Sequence, residues 1–279
     1  MARIWVFLFL AGYCPAQDSP TAAGPLTAEA IMARVAVNQD RSELLRKQYV
    51  YKQHIHIVTH KPRGRLMREE TADYDVVPMP EGTEKQLKHL TGRYWFKGAY
   101  KEFEGEPAPD ADSVDAGLIQ NFREVDADAK SKDGLSRNLF PLTTAQQQDY
   151  DFKFLGQEVE QARNVYHIGF TPKDKDEITW AGEAYIDAAD FQPVRVFTRM
   201  SRPIPLMVRT LLGTNLPGLG FNVVYKRQPD GVWFPVTLGT EFKMRVLFFL
   251  NRDVSISLEN SSFEHTHVQT RIKVLEPSD

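Results

Sequence analysis

The sequence predicts an α+β domain: one wide, curved antiparallel β-sheet with helices packed on its concave side as a lid. Three observations carry this. Segments of alternating polar and apolar residues recur along most of the 279-residue chain, the period-two pattern of strands with one wet face. The joints between them are mostly short and rich in Gly, Pro, Asp and Asn, and strands joined that way run antiparallel. Helical periodicity is confined to the start of the domain and to one internal insert. A sheet this wide tends to curl, and helices lying over its hollow side close a pocket.

The elements follow in order. Residues 1–16 open on Met-Ala-Arg, continue through an apolar run from Ile4 to Tyr13, and end Cys14-Pro15-Ala16. This is the pattern of a cleavable signal peptide, and the run is too short to span a bilayer, which needs roughly 20 residues. The expectation is therefore an exported, periplasmic or extracytoplasmic protein whose mature chain has no transmembrane helix. Lipid anchoring at Cys14 is the alternative, with the bulky Tyr13 before the cysteine against it. Residues 17–25 read as a flexible linker, 26–270 as a single domain, and 271–279 as a tail. Thr27 is a good N-cap and Glu29 suits a first turn. Ile31, Met32, Val35, Leu44 and Leu45 form an apolar stripe out to about Gln48, with Asn38 as a possible interruption. Tyr49, Tyr51, Ile55 and Ile57 then alternate with Lys52, His54 and His56. Pro62-Arg63-Gly64 and Pro80-Glu81-Gly82 are turns, and strands continue to Phe103. A helical insert is expected around 110–148, with Leu118, Ile119, Phe122 and Val125 on one face. Eight further strands follow Tyr150: 151–157, 164–171, 182–188, 193–201, 221–228, 232–245, 247–251 and 254–263.

Composition excludes several functions. Net charge is −3, which argues against nucleic acid as a partner. The single cysteine lies in the signal segment, so the mature chain has no disulfide or thiolate chemistry. There is no HExxH, GxSxG, GxGxxG or Walker A motif, so no enzyme and no cofactor is expected. His54 and His56 share a strand face about 7 Å apart, His60 lies further along it, and His265 and His267 form a second pair. Two such pairs make a metal site if their strands are neighbours, but no carboxylate stands behind them in sequence. They read as a solvated sheet face.

Two features point to a ligand. Pro203–Phe221 is an apolar segment where a tight turn would suffice, and long connections between strands are often functional. It reads either as a flap touching lipid through Leu206, Met207, Leu211, Leu212, Leu216, Leu219 and Phe221, or as a connection packed on the core. The other feature is the aromatic content of the strands, from which Trp95, Tyr185 and Trp233 are candidates for lining a dry cavity.

The segments Ala30–Val35, Tyr150–Gly156, Val165–Pro172, Gly182–Asp187 and Pro193–Val196, in this order behind a signal segment, resemble the periplasmic lipoprotein-sorting carriers and their relatives over residues 26–268. The resemblance implies an unclosed β-barrel with helices plugging its mouth above a hydrophobic cavity. It also implies acyl chains of lipids or lipoproteins as ligands, peripheral contact with a membrane, or, for regulatory members, an envelope protein as partner. The insert between Glu104 and Gln148 departs from the simple carrier pattern.

Overall fold

The computed structural model describes residues 26–79, 82–106, 109–110, 112–127, 140–203, 214–216, 218–246 and 250–266. The expected signal segment, the linker and the tail lie outside them. The described residues include three helices: α1 (Ala28–Arg46), α2 (Val114–Ala127) and α3 (Thr144–Gln147). The strands are β1 (Tyr49–His60), β2 (Leu66–Met79), β3 (Gly82–Phe96), β4 (Ala99–Glu104), β5 (Tyr150–Glu160) and β6 (Arg163–Pro172). Six more follow: β7 (Trp180–Asp187), β8 (Pro193–Met200), β9 (Thr214–Asn215), β10 (Gly220–Arg227), β11 (Trp233–Val246) and β12 (Leu250–His265).

Eleven strands form one continuous antiparallel path, in the order β4-β3-β2-β1-β12-β11-β10-β8-β7-β6-β5, and the short β9 joins the far end of β11. Among the described residues the path does not close, so β4 and β5 are its edge strands and the fold is an unclosed barrel with helices. Most neighbours in the sheet are also neighbours in sequence. β8 pairs with β10 past the short β9, and the one long-range pairing on the path is that of β1 with β12, which runs from Tyr49↔His265 to His60↔Asp253 and joins the two halves of the chain.

Strand alternation sorts the side chains. Ile55 and Ile57 of β1, Ala72, Tyr74 and Val76 of β2, and Leu258 of β12 are buried on the inner face. Val223, Val196, Ala184 and Ile168 continue this layer through β10, β8, β7 and β6, each no more than 1% exposed. Ile31, Met32 and Val35 of α1 and Ile119 of α2 pack into it.

Three details differ from the sequence reading. Residues 250 and 251 of the expected strand 247–251 are continuous with 254–263 in one strand, β12, while 247–249 lie outside the described residues, and a short β9 is added. Arg252-Asp253 has the composition of a turn, but Arg252 is buried and ion-paired. Asn38 does not interrupt α1; its side-chain amide donates to the carbonyls of Asp190 at 2.9 Å and Phe191 at 3.2 Å. The apolar stripe also stops early, because Leu44 is exposed while Gln39, Ser42 and Arg46 face inward.

Candidate functional site

The inner face of the sheet and the helices above it form the one place where an apolar surface spans many strands. The helices are held there partly by apolar contact and partly by buried polar anchors at their ends.

At one end lies α2. Leu118 and Phe122 pack with Phe242, Met244 and Val254, and Leu216 and Leu219 join the same cluster. Phe122 meets Phe242 edge-on at 5.9 Å. Around this patch the sheet contributes two buried arginines. Arg252 donates through Nε and Nη2 to the two carboxylate oxygens of Asp115, both at 2.6 Å. Asp115 also accepts from Thr59 Oγ1 at 3.1 Å. Arg68, 1% exposed, donates from Nε to Glu70 at 2.6 Å and pairs with Asp110 in the segment leading to α2. Its guanidinium lies 4.6 Å from the Phe103 ring centroid. Arg123 of α2 completes the cluster, with Nη1 at 2.7 Å from Glu106 and Nε at 3.3 Å from Glu70. The second contact is an ion pair without hydrogen-bond alignment. Burial works against the charge of Arg123, but Glu106 and Glu70 outweigh it and raise its pKa.

At the other end α1 is tied down. Arg46 Nη1 donates to the Trp233 carbonyl at 3.1 Å. Gln39 bonds Gln192, whose amide donates to Ser42 at 3.1 Å. Tyr49 donates its hydroxyl to Asp230 in the β10–β11 turn. Burial, reinforced by this bond and the negative charge of Asp230, pushes the Tyr49 hydroxyl up to about 12.

Between these ends the floor is mainly aliphatic, with two polar intrusions. Gln53 and Asn260 bond at 3.0 Å, and Lys85 donates to Gln53 at 2.7 Å. Thr240 is 5% exposed and its hydroxyl has no partner among the described residues.

The residues singled out in the sequence divide between places. Leu206, Met207, Leu211 and Leu212 lie outside the described residues. Leu216 and Leu219 sit in the α2 cluster, and Phe221 packs edge-on against Trp180 at 5.2 Å. Trp233 is buried at the α1 end, with Arg163 over its ring at 5.1 Å. Trp95 and Tyr185 are on the outer face, because Tyr94 on one side and Ala184 and Ile186 on the other take the inward positions. Trp95 meets Tyr100 at 5.1 Å. Tyr185 stacks on His167 at 4.4 Å, and His167 bridges Glu158 and Glu183, each at 2.8 Å. Burial raises the Tyr185 pKa; Arg195 opposes this and Glu183, Glu158 and Glu160 add to it.

Two histidines of β1 do have carboxylate partners, contrary to the sequence reading. His54 pairs with Asp73 at 2.7 Å and His56 with Glu69 at 2.8 Å. β1 and β12 are neighbours, but His265 lies opposite Tyr49, at the far end of β1 from His60. Among the described residues no group of three or more His, Cys, Asp or Glu is placed to hold a metal ion. An open groove of about 780 Å³ is lined by Val58, His60, Glu241, Phe242, Lys243, Asp253, Val254 and Ser255 of the sheet together with Gly218.

The inward arginines are what sequence reasoning missed, and the signal was present. Arg68 and Glu70 have the same parity as Ala72, Tyr74 and Val76 in β2, and Arg252 shares that of Val254 and Leu258 in β12.

Among the described residues no helix is long and apolar enough to cross a membrane. No protein-family model and no curated protein matches the chain. Solved structures do resemble it. A domain named for outer membrane lipoprotein sorting from Vibrio parahaemolyticus is 14% identical with a TM-score of 0.39, covering 89% of this chain and 95% of that one. A DUF1329 family protein from Desulfovibrio piger is 11% identical with a TM-score of 0.38, covering 88% and 95%. A LolA superfamily protein from Nitrosomonas europaea is 13% identical with a TM-score of 0.37, over 88% of this chain and 96% of that one.

Proposed function

We propose that the protein is an exported binding protein that holds the acyl chains of a lipid or lipidated peptide between the inner face of the sheet and the helices above it. One observation carries this reading. The inner face is apolar from β2 across to β6, while α2 above it is fastened at its start and flank by ion pairs. Such an arrangement can open by breaking a few polar contacts and offer an aliphatic floor to a ligand. Each acyl CH₂ moved from water onto that floor contributes about 0.8 kcal/mol. Leu216 and Leu219 border the α2 cluster and would contact the cargo as the helix lifts.

Native mass spectrometry of protein purified from the periplasm of an expression host, followed by solvent extraction, tests the proposal. The expected result is a bound mass matching phospholipid or acylated peptide, reduced in Leu219→Asp. A clean unliganded mass that does not shift on adding lipid would overturn it.

A second reading, an envelope module that binds a protein partner, is favoured by the β5 edge. Its outer side has no neighbouring strand among the described residues, and Phe154, Leu155 and Val159 on it are 42%, 43% and 70% exposed. Such an edge accepts an added strand. Under this reading a pull-down from envelope extract returns one stoichiometric protein in place of lipid.

A further inference from the structure

We infer that two adjacent hairpin tips at one end of the sheet dock the protein on an anionic membrane surface. The first tip, between β1 and β2, reads Lys61-Pro62-Arg63-Gly64-Arg65, and all five residues are exposed. The second, between β3 and β4, reads Phe96-Lys97-Gly98-Ala99-Tyr100-Lys101. Contacts hold the tips together: Arg65 lies over the Trp95 ring at 5.2 Å, and Tyr100 donates its hydroxyl to the Leu66 carbonyl at 3.5 Å.

The two tips carry Lys61, Arg63, Arg65, Lys97 and Lys101 and no acidic residue, in a chain of net charge −3. None of the five pairs with a carboxylate among the described residues. Rings stand among them: Phe96 is 43% and Tyr100 46% exposed, and Lys97 and Lys101 lie 5.1 and 5.4 Å from the Phe96 centroid. Aromatic rings at headgroup depth beside lysines and arginines drawn to acidic lipids are the chemistry of an interfacial anchor.

The turns add an independent observation. Gly64 N donates to the Lys61 carbonyl at 3.0 Å, Pro62 sits second and Arg63 third with φ +78°, the marks of a type II turn that favours Gly or Asn at the third place. The two-residue loop Lys97-Gly98 has φ +48° and +93°, where Asn-Gly is favoured. Both turns thus place a cation at a left-handed position that costs backbone energy, and such strain clusters at functional sites. The proposal is independent of any cargo.

Sedimentation with vesicles of phosphatidylcholine, with and without about one third phosphatidylglycerol, tests it. The full-length protein is expected to bind the acidic vesicles selectively and to release them as salt rises. Each cation is worth about fivefold, so Lys97→Glu with Lys101→Glu lowers partitioning at least ~25-fold. Phe96→Ser with Tyr100→Ser weakens it at unchanged charge. Lys226→Glu, exposed at the opposite end of the sheet, leaves it unchanged, and equal melting temperatures exclude unfolding as the cause. Equal binding to both vesicle types, or undiminished binding by the double variants, would overturn the inference. So would retention on heparin, a soluble polyanion, without any vesicle binding.

Discussion

At the scale of single residues the controlling feature is charge turned inward. Arg252 is 6% exposed and held by both oxygens of Asp115. Removing one partner of a buried pair strands the other without water. Asp115→Ala is therefore expected to cost about 3–5 kcal/mol in urea unfolding, whereas Asp115→Ala with Arg252→Met recovers most of it. If the double variant is no better than the single, the loss belongs to the packing of α2 and not to the stranded charge. Tyr49 gives a prediction at alkaline pH. Its folded hydroxyl titrates at about 12 against 10.0 for the ordinary group. The raised value means stability that is fully present below 10 and drains away as pH rises toward 12. Tyr49→Phe should remove that slope from the alkaline limb of a stability–pH curve and delete one late-titrating tyrosine from the ultraviolet spectrum. Asp187 acts at the opposite limit. Burial raises its pKa, but the amides of Asp190 and Ala189 and the Arg163 guanidinium outweigh this and lower it. Its contribution is present above the ordinary carboxylate range and is lost as pH falls below it.

Elements show where the sequence was legible and where it was not. The order of a helix, four strands, a helical insert and eight strands follows from the alternation of Tyr49–Ile57 and its counterparts, because one wet face and one dry face leave a period-two trace. The extent of α1 was legible too, from Thr27 as cap, whose Oγ1 accepts from Ala30 N at 3.2 Å. Thr27→Ala is expected to destabilise by about 1 kcal/mol, read as a small drop in melting temperature without change in helix content. The buried face of α1 was half legible. Ile31, Met32 and Val35 announced it, but Gln39, Ser42 and Arg46 continue it as polar residues whose partners, Gln192 and the Trp233 carbonyl, are more than 140 residues away. Long-range hydrogen bonds leave no periodic trace. The same holds for the candidate site. Leu219 stands out in the sequence because an apolar loop is conspicuous, and it packs beside the α2 cluster. Trp95 and Tyr185 were assigned by aromatic character when parity would have turned them outward. Arg68 and Arg252 were passed over because a charged residue in a strand reads as solvent-facing.

For the molecule as a whole, the pairing of β1 with β12 decides cooperativity. Without it the sheet divides into a β1–β4 piece and a β5–β12 piece, each with an additional raw edge. Leu258 lies opposite Ile55 on one side and Leu238 on the other, and it is 5% exposed. The intact protein should unfold in one transition by both circular dichroism and tryptophan fluorescence. Leu258→Asp, which buries a charge at that joint, should separate the transition into two. A single transition shifted to lower temperature would show instead that one half cannot stand alone.

That joint also sets an order of events. Synthesis and export both deliver a chain N-terminus first, so β1 comes among the first described elements and β12 last. Until β12 is delivered, the β1–β4 hairpins have the open side of β1 unmatched, apolar residues and all. β2 covers one side of β1 at once, but residue 250 must arrive before the other side has a neighbour. Among the described residues the finished sheet has its edges at β4 and β5, but its incomplete form has one more in what becomes its centre. The chain's hazard is thus one of timing: whatever shields nascent protein must hold this one for nearly its whole length, and a message cut short near its end would leave the unguarded strand exposed for good.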